Sequence, residues 1–317
     1  MRAVRYHETG GPDVLQVDDV EPPEPGHGEV VVDVHAAGVN PVDTYFRTGE
    51  YPVPEFPWVP GSDLAGVVGA VGPDVDEFAV GDRVFGTGLG RTVSGTHAEQ
   101  VTAPVDLLAR LPDDASFLEG AAVALVGVTA WQALVGYADL EPAETCLVHG
   151  GSGGVGHVAV QLAEATGATV VTTASEQYHD HLRDLGADVV LDYRRDDLET
   201  AIVDAGRPDV VLDTFMNEYF PLDARVAAPG GRIVGIGNTA DEARVPLGPA
   251  KSKDLRYQVM SMFNVEEYGP VLDRLGRLVV KGEVVPEVAR TFPLEETADA
   301  HRTVLEESFL GKVVVEP

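Results

Sequence analysis

The sequence predicts an α/β protein of two parts: a doubly wound parallel sheet with helices on both faces, and a second, mainly antiparallel β domain. Three observations predict it. The stretch Val148-His149-Gly150-Gly151-Ser152-Gly153-Gly154-Val155-Gly156 sits between an apolar run and an Ala/Val/Leu-rich helical pattern. After it, apolar runs alternate with helical patterns, which is βαβ order. Before it, short period-2 strands are broken by dense Gly and Pro, the texture of an antiparallel domain.

The glycine stretch reads as a dinucleotide site. Gly151-x-Gly153-x-x-Gly156 fits a fingerprint whose first glycine makes a tight turn and whose second lets backbone approach a pyrophosphate. The third allows close packing of helix on strand. A helix over 154–166 would offer its first N–H groups and the positive end of its dipole to the phosphates. Among 35 glycines such a motif can arise by chance, and a plain glycine-rich turn is the alternative. The context decides for a Rossmann-type domain. Strands are expected at Thr145–His149, Thr169–Thr173, Val189–Leu191, Val210–Asp213 and Arg232–Gly237. Helices fall at 154–166, 177–185, 195–205 and 218–227. The runs are near-continuously apolar, as befits a parallel sheet covered on both faces.

In the first part, Arg2–His7, Val14–Val20 and Glu29–Ala36 alternate as strands, and Pro22-Pro23-Glu24-Pro25-Gly26 turns the chain between two of them. Residues 59–71, 80–86 and 97–103 continue the pattern. The end of the chain returns to it with a helix at 295–306 and a strand at Lys312–Val315. A length of 317 residues exceeds a usual single core and implies about two domains. The expected organisation is discontinuous, with a catalytic domain from 1–121 and 264–317 and a nucleotide domain over 122–263.

Charge and composition narrow the function classes. The chain carries 52 acidic against 22 basic residues, a formal net charge of −30, and only four lysines: Lys251, Lys253, Lys281 and Lys312. At molar salt the Debye length is about 3 Å and such repulsion is screened. Lysine depletion with this charge predicts a halophilic, salt-requiring protein. Nucleic acid is not an expected partner, since binding it needs a basic face. The single cysteine, Cys146, falls in a predicted core strand, so no thiolate zinc site can be assembled and no metal is expected. Neither a signal peptide nor an uninterrupted apolar run of membrane-spanning length is evident, and a soluble, cytoplasmic protein with no membrane partner is expected.

Further residues carry a family resemblance. They are Asn40-Pro41-Val42-Asp43-Thr44-Tyr45, Gly49-Glu50-Tyr51-Pro52, Pro60-Gly61-Ser62-Asp63-Leu64-Ala65-Gly66, Gly81-Asp82-Arg83-Val84 and Gly127-Val128-Thr129-Ala130. The glycine loop, Leu185-Gly186-Ala187-Asp188, Gly230-Gly231-Arg232, Gly237-Asn238 and Gly311-Lys312 follow in order. Together they resemble the zinc-free quinone oxidoreductase, or zeta-crystallin-like, branch of the medium-chain dehydrogenases/reductases over essentially the whole length. The resemblance implies a GroES-like catalytic domain beside the Rossmann domain, and reduction of a quinone or related conjugated carbonyl by NADPH. It implies no catalytic zinc, because the Asn40–Tyr45 segment stands where the zinc branch has its first metal ligand. Hydride addition to a conjugated acceptor leaves an oxyanion that hydrogen-bond donors can stabilise, so a Lewis acid is not required.

The resemblance assigns Asn40, Tyr45 and Tyr51 to the substrate side, with the Tyr51 phenol a candidate donor to the acceptor carbonyl. Asp43 is read instead as bracing a helix start, the usual use of Asn-Pro-x-Asp. On the cofactor side it points to Thr129 near the carboxamide and to Ser152, Gly153, Gly154, Val155 and Gly156 at the pyrophosphate. Gly237 and Asn238 belong near the nicotinamide ribose, and Lys312 is a further candidate for which a salt bridge is the alternative. Met260, Met262 and Phe263 suggest an apolar wall, with Phe263 counted on the cofactor side. An NAD enzyme should carry Asp or Glu at the end of the second strand. Here that strand ends Thr172-Thr173-Ala174-Ser175, leaving room for a 2′-phosphate that Ser175 and Tyr193, with Arg194 and Arg195 beside it, could contact. NADPH is therefore favoured, with Glu176 and the absence of a lysine at Tyr178 keeping NADH open. The nine histidines have no motif neighbours and are assigned structural or solvated roles. Alternatives are a reductase of an enone, 2-alkenal or enoyl thioester, and a non-catalytic NADPH-binding structural or RNA-binding protein. Family members are commonly oligomers, so a homodimer paired through nucleotide-domain sheet edges is expected.

Overall fold

The computed structural model describes residues Met1–Pro317. In chain order the first stretch holds β1 (Arg2–Arg5), β2 (Gln16–Asp19), β3 (Glu29–Val39), α1 (Pro41–Thr48), β4 (Leu64–Val71), β5 (Arg83–Gly86), β6 (Gln100–Pro104), β7 (Leu108–Arg110) and α2 (Phe117–Trp131). Then come β8 (Thr145–Val148), α3 (Gly154–Thr166), β9 (Thr169–Ala174), α4 (His179–Asp184), β10 (Val189–Asp192), α5 (Leu198–Ala205), β11 (Val210–Asp213), α6 (Met216–Val226), β12 (Arg232–Gly235), α7 (Leu247–Ser252) and β13 (Arg256–Val259). The last stretch is α8 (Tyr268–Lys281), β14 (Val288–Pro293), α9 (Thr297–Glu306) and β15 (Lys312–Glu316). The chain divides into unit 1, Met1–Val128 with Glu266–Gly282 and Pro286–Pro317, and unit 2, Thr129–Val265 with Glu283–Val285. The chain leaves unit 1 after Val128, inside α2, where the sequence placed the crossing after Ala121.

Unit 1 is built on a seven-stranded sheet of order β14-β15-β3-β4-β5-β7, with β6 also paired to β3. Only β14 and β15 run parallel; the other pairings are antiparallel. The hub is β3, whose Val-rich eleven residues meet β4, β6 and β15 and are buried along most of their length. Its valines join Leu64, Val68, Val84, Val101, Val313 and Val315 in one core, each such side chain contributing about 1.5–3 kcal/mol by leaving water. Two expected strands start late because positive-φ glycines turn the chain first: Gly61 at φ 104° before β4 and Gly81 at φ 92° before β5.

Unit 2 is a six-stranded, fully parallel sheet of order β10-β9-β8-β11-β12-β13. The order reverses beside β8, the topological switch where doubly wound sheets bind their ligands. This is the Rossmann-type domain that the alternating pattern predicts. Helix α3 spans 154–166 as expected, capped by Gly153 and closed by Gly167 at φ 88°. The expected helix at 177–185 resolves into a 3₁₀ turn at Glu176–Tyr178 and α4. Strand β13, absent from the sequence reading, adds the last edge. Its Arg-Tyr-Gln-Val run is largely exposed, and its two alternating apolar residues are too few to stand out. Helix α2 was missed for the opposite reason, being apolar on nearly every side, and it continues as a π-helical turn over Gln132–Tyr137. The whole run Phe117–Tyr137 is long and apolar enough to cross a membrane, against expectation, but 78% of its most apolar window is buried inside the protein.

Candidate active site

In unit 2 the glycines of the loop after β8 are dictated by space. A Cβ on Gly156 would lie 2.1 Å from the Gly150 carbonyl oxygen, and one on Gly151 would lie 2.1 Å from Thr172 Oγ1. Both contacts are far inside van der Waals range, so only glycine fits. Gly150 itself sits at φ 73°. Gly153 is the N-cap of α3 with extended backbone and no side chain to occupy the helix end. The first-turn amides of Gly154, Val155 and Gly156 have no intrahelical acceptor by geometry, which makes this end of α3 an anion site. Ser152 is half-buried and Gly153 exposed at the same loop. The loop is tied to β9, where Gly150 N donates to Thr173 Oγ1 (3.1 Å) and Gly151 N to the Thr173 carbonyl (2.9 Å).

The other cofactor candidates of unit 2 are distributed along the strand ends. Ser175, half-buried, follows β9, and Tyr193 follows β10 with 43% of its surface exposed. Arg194 lies over the Tyr193 ring but is held by Asp192 through two hydrogen bonds of 3.0 and 2.7 Å. Arg195 is held likewise by Asp197, at 2.6 and 2.9 Å. Each cation that could meet a 2′-phosphate thus already has a carboxylate partner. Gly237 packs against the residue that follows β11, where a Cβ would come 2.1 Å from the Thr214 carbonyl oxygen, so its glycine has a packing reason of its own. Asn238 is exposed and donates to Ala240 O. Thr129 is 5% exposed, and Phe263 is half-buried beside the buried Met262.

In unit 1 the substrate candidates separate into two groups. Tyr45 on α1 and Tyr51 just beyond it meet edge to face at 5.8 Å, and Phe46 contacts Tyr51 at 5.7 Å. Tyr51 is 40% exposed. Burial raises the Tyr45 phenol above its ordinary pKa, with Glu50 adding to the shift, so the group stays protonated and able to donate. Asn40 stands apart from the tyrosines in its surroundings. It is 1% exposed, its Nδ2 donates to Asp63 Oδ2 at 2.8 Å, and its Oδ1 accepts from the Lys312 ammonium. Every polar atom of that amide is committed inside the protein.

Lys312, also expected at the cofactor, is instead 3% exposed, donates to Val39 O at 2.8 Å and lies 3.7 Å from the Asp63 carboxylate. The salt-bridge alternative describes it. Asp43 closes a capping box with Asn40, accepting from Asn40 N at 2.8 Å, and also accepts from Ser62 Oγ at 2.7 Å. Burial pushes its carboxyl up to about 7 against the Ser62 hydrogen bond that favours the anion. Asp63, likewise raised by burial and opposed by Lys312, also accepts from Leu125 N at 3.0 Å. The Lys312 ammonium is pushed down by the same burial and held up by Asp63 and Asp43. Sequence reasoning quoted Ser62 and Asp63 only as motif letters. An aspartate placed directly before the apolar run Leu64-Ala65-Gly66-Val67-Val68 was the signal that it would be buried and paired.

A second buried cluster went unread in unit 2. His149 precedes the glycine loop and is fully buried, its Nε2 2.9 Å from Asp223 Oδ1. Its ring partners, Asp223 on α6 and Thr173 on β9, lie too far along the chain for any local motif.

Residues 26–113 match the alcohol dehydrogenase GroES-like domain family, and residues 185–315 match the family described as zinc-binding dehydrogenase. The chain is similar to the quinone oxidoreductase of Mus musculus, 36% identical over 99% of this chain and 97% of that protein. Among solved structures it resembles an NAD-dependent alcohol dehydrogenase, with TM-score 0.92 and 33% identity over 100% of both chains. It also resembles the Escherichia coli quinone oxidoreductase complexed with NADPH, with TM-score 0.89 and 29% identity over 100% of both chains. A GroES-like β domain, a Rossmann-type sheet with a glycine loop at its switch point, and full-length similarity agree on one conclusion: the chain is an oxidoreductase that belongs to the quinone oxidoreductase branch of the medium-chain dehydrogenase/reductase family.

Proposed function

We propose that this oxidoreductase reduces a quinone or a closely related conjugated carbonyl with NADPH and does so without zinc. The observation that carries the reading is the loop after β8, where Gly151 and Gly156 admit no Cβ and α3 opens on a glycine N-cap. Backbone alone fills that space, so a pyrophosphate can approach the amides of Gly154, Val155 and Gly156 without meeting a side chain. Ser152 and Gly153 would border it, Ser175 and Tyr193 would take the adenine-ribose end, and Thr129, Gly237, Asn238 and Phe263 the nicotinamide end. When bound, NADPH supplies a hydride. Tyr51, packed on Tyr45, is the donor we assign to the acceptor's carbonyl oxygen, where negative charge develops. Asn40 acts through its fixed position at the start of α1, which sets where Tyr45 stands.

The donor set argues against zinc. No group of three or more His, Cys, Asp and Glu side chains comes together to hold a metal, and the one cysteine is fully buried in β8. Around Asn40, Ser62 and Asp63 the cation is the Lys312 ammonium, and a divalent ion beside it would meet a fixed positive charge. The cofactor choice leans to NADPH because β9 ends at Ala174 and is followed by Ser175, the first acidic residue, Glu176, standing beyond it in the 3₁₀ turn. The pairing of Arg194 and Arg195 with carboxylates makes that preference modest.

The test is steady-state oxidation of NADPH and NADH with a 1,4-naphthoquinone and with a 2-alkenal, in molar KCl. A higher kcat/KM for NADPH with the quinone is expected. A higher kcat/KM for the alkenal overturns the substrate class, and a preference for NADH overturns the cofactor choice.

A further inference from the structure

The ends of three adjacent strands in unit 2 are tied together at one buried residue. His149, which leads directly into Gly150, is fully buried at the end of β8, and its ring stacks on Tyr219 of α6 at 4.3 Å and 5°. Its Nδ1 is 3.3 Å from Thr173 Oγ1 on β9, and that hydroxyl in turn accepts from Gly150 N at 3.1 Å. Its Nε2 is 2.9 Å from Asp223 Oδ1 on α6. Beyond His149 the backbone carbonyl accepts from Thr214 Oγ1 at 2.9 Å, one residue past Asp213 of β11. A single chain of hydrogen bonds therefore runs from a glycine-loop amide through Thr173 and His149 to a carboxylate in the core.

That carboxylate faces another. Asp213 and Asp223 are both fully buried, and while Asp213 Oδ1 accepts from Phe215 N at 2.7 Å, the Oδ2 atoms of both have no donor. Two adjacent, fully buried carboxylates whose Oδ2 atoms meet no protein donor are stabilised by a proton held between them. Burial raises both, Asp213 to about 7 with the Asp223 charge adding to it, whereas burial pushes His149 down to about 4. The cluster thus holds its proton on the acid pair, with a neutral histidine. The other titratable and charged groups around it are Tyr219 and Arg225 on α6 and Tyr257 on β13. Burial raises both phenols, so they keep their protons throughout the range where the pair changes charge.

We propose that His149, Asp223 and Asp213 are positioning residues for the glycine loop, and that the proton shared by the two aspartates couples the loop's affinity for a dinucleotide pyrophosphate to pH. Loss of that proton places an additional negative charge behind amides that must hold a dianionic group. It also changes the acceptor at the far end of the chain that orients Gly150. Binding and protonation are then linked, so the cofactor binds with uptake of a proton from solvent. The inference rests on the reading of this loop as the NADPH site.

Two measurements on the full chain test it. NADPH dissociation constants are followed by nucleotide fluorescence between pH 6.5 and 9, and proton uptake on binding at pH 8 is read with an indicator dye in weak buffer. The 2′-phosphate, with a pKa of about 6, is already ionised there and is silent. In the wild type, affinity is expected to weaken about threefold or more per pH unit above 7, within the tenfold ceiling for one proton, with uptake of a fraction of a proton. Asp223→Asn, which keeps shape and hydrogen bonding, flattens the profile and abolishes the uptake, and Asp213→Asn does the same. A wild-type profile that is flat with no proton uptake overturns the coupling whatever the variants do. So does a slope that survives in both variants. Failure of NADPH to bind at any pH overturns the cofactor reading itself, and this inference with it.

Discussion

Replacing Lys312 by methionine isolates the buried ionic knot of unit 1. The substitution preserves chain length and apolar stem but removes an ammonium that is 3% exposed, donates to Val39 O and Asn40 Oδ1, and lies 3.7 Å from Asp63. Asp63 would keep Asn40 Nδ2 and Leu125 N as donors, at 2.8 and 3.0 Å, yet would be an unpaired charge with no solvent contact. Breaking a buried pair from one side costs about 3–5 kcal/mol, a large part of a total stability of about 5–15 kcal/mol. Asp63→Asn with Lys312→Met removes both charges, its amide oxygen keeps the Leu125 N hydrogen bond, and its amide nitrogen can pair with Asn40 once that amide turns over, so the cost should fall to about 1–3 kcal/mol. The pH dependence has a definite sign. A carboxyl whose folded pKa is raised gains stability as pH falls, because the folded state holds a proton that the unfolded chain releases near its ordinary pKa. The single variant should therefore recover part of its loss between pH 7 and 5. Urea unfolding of wild type, both single variants and the double variant in high salt measures this directly. An equal cost of Lys312→Met with and without Asp63→Asn would refute the reasoning, since it would show that the two charges do not see one another.

Other consequences follow from the same geometry. Gly156→Ala sets a Cβ 2.1 Å from the Gly150 carbonyl oxygen, so backbone must move; a stability loss of about 1–3 kcal/mol and at least tenfold weaker NADPH binding are expected in denaturation and fluorescence titrations. His301 is fully buried with neither nitrogen hydrogen-bonded, and burial and His97 push it well below its ordinary pKa. Its stability contribution is present above about pH 6.5 and lost as pH falls below it, so His301→Leu should flatten the acid side of the stability profile by up to about 1.4 kcal/mol per pH unit. The −30 charge predicts that KCl raised from 0.1 to 2 M increases the melting temperature in calorimetry, and unchanged melting would contradict the salt requirement. Strand β13 is an open edge with Val259 59% exposed, and pairing of this edge between two copies predicts a dimer mass in light scattering that Val259→Lys reduces to a monomer.

Legibility tracked how local each signal is. The glycine loop and α3 were readable to the residue because Gly153, Gly156 and Gly167 each answer a constraint within a few positions of chain. Strand β3 was readable from its alternation, and the parallel strands of unit 2 from near-continuous apolar runs. Strand β13 was not, because only Tyr257 of its four residues packs against the core, too short a pattern to read. Asn40 was read as a substrate-side residue, and its burial was not legible. Its buried partners, Asp63 and Lys312, lie 23 and 272 residues away, and no local rule joins them. The same holds for His149 and Asp223, 74 residues apart. Polar contacts across a sheet are fixed by topology, which spacing does not report.

The central claim is hydride transfer to a quinone without zinc. The most direct measurement is NADPH-dependent quinone reduction by protein dialysed against a strong chelator in molar KCl, with bound metal quantified on the same sample. The account predicts undiminished turnover at less than about one-tenth of a zinc per chain, since no donor set for the ion is assembled. Turnover that disappears on chelation and returns in proportion to added zinc would contradict it.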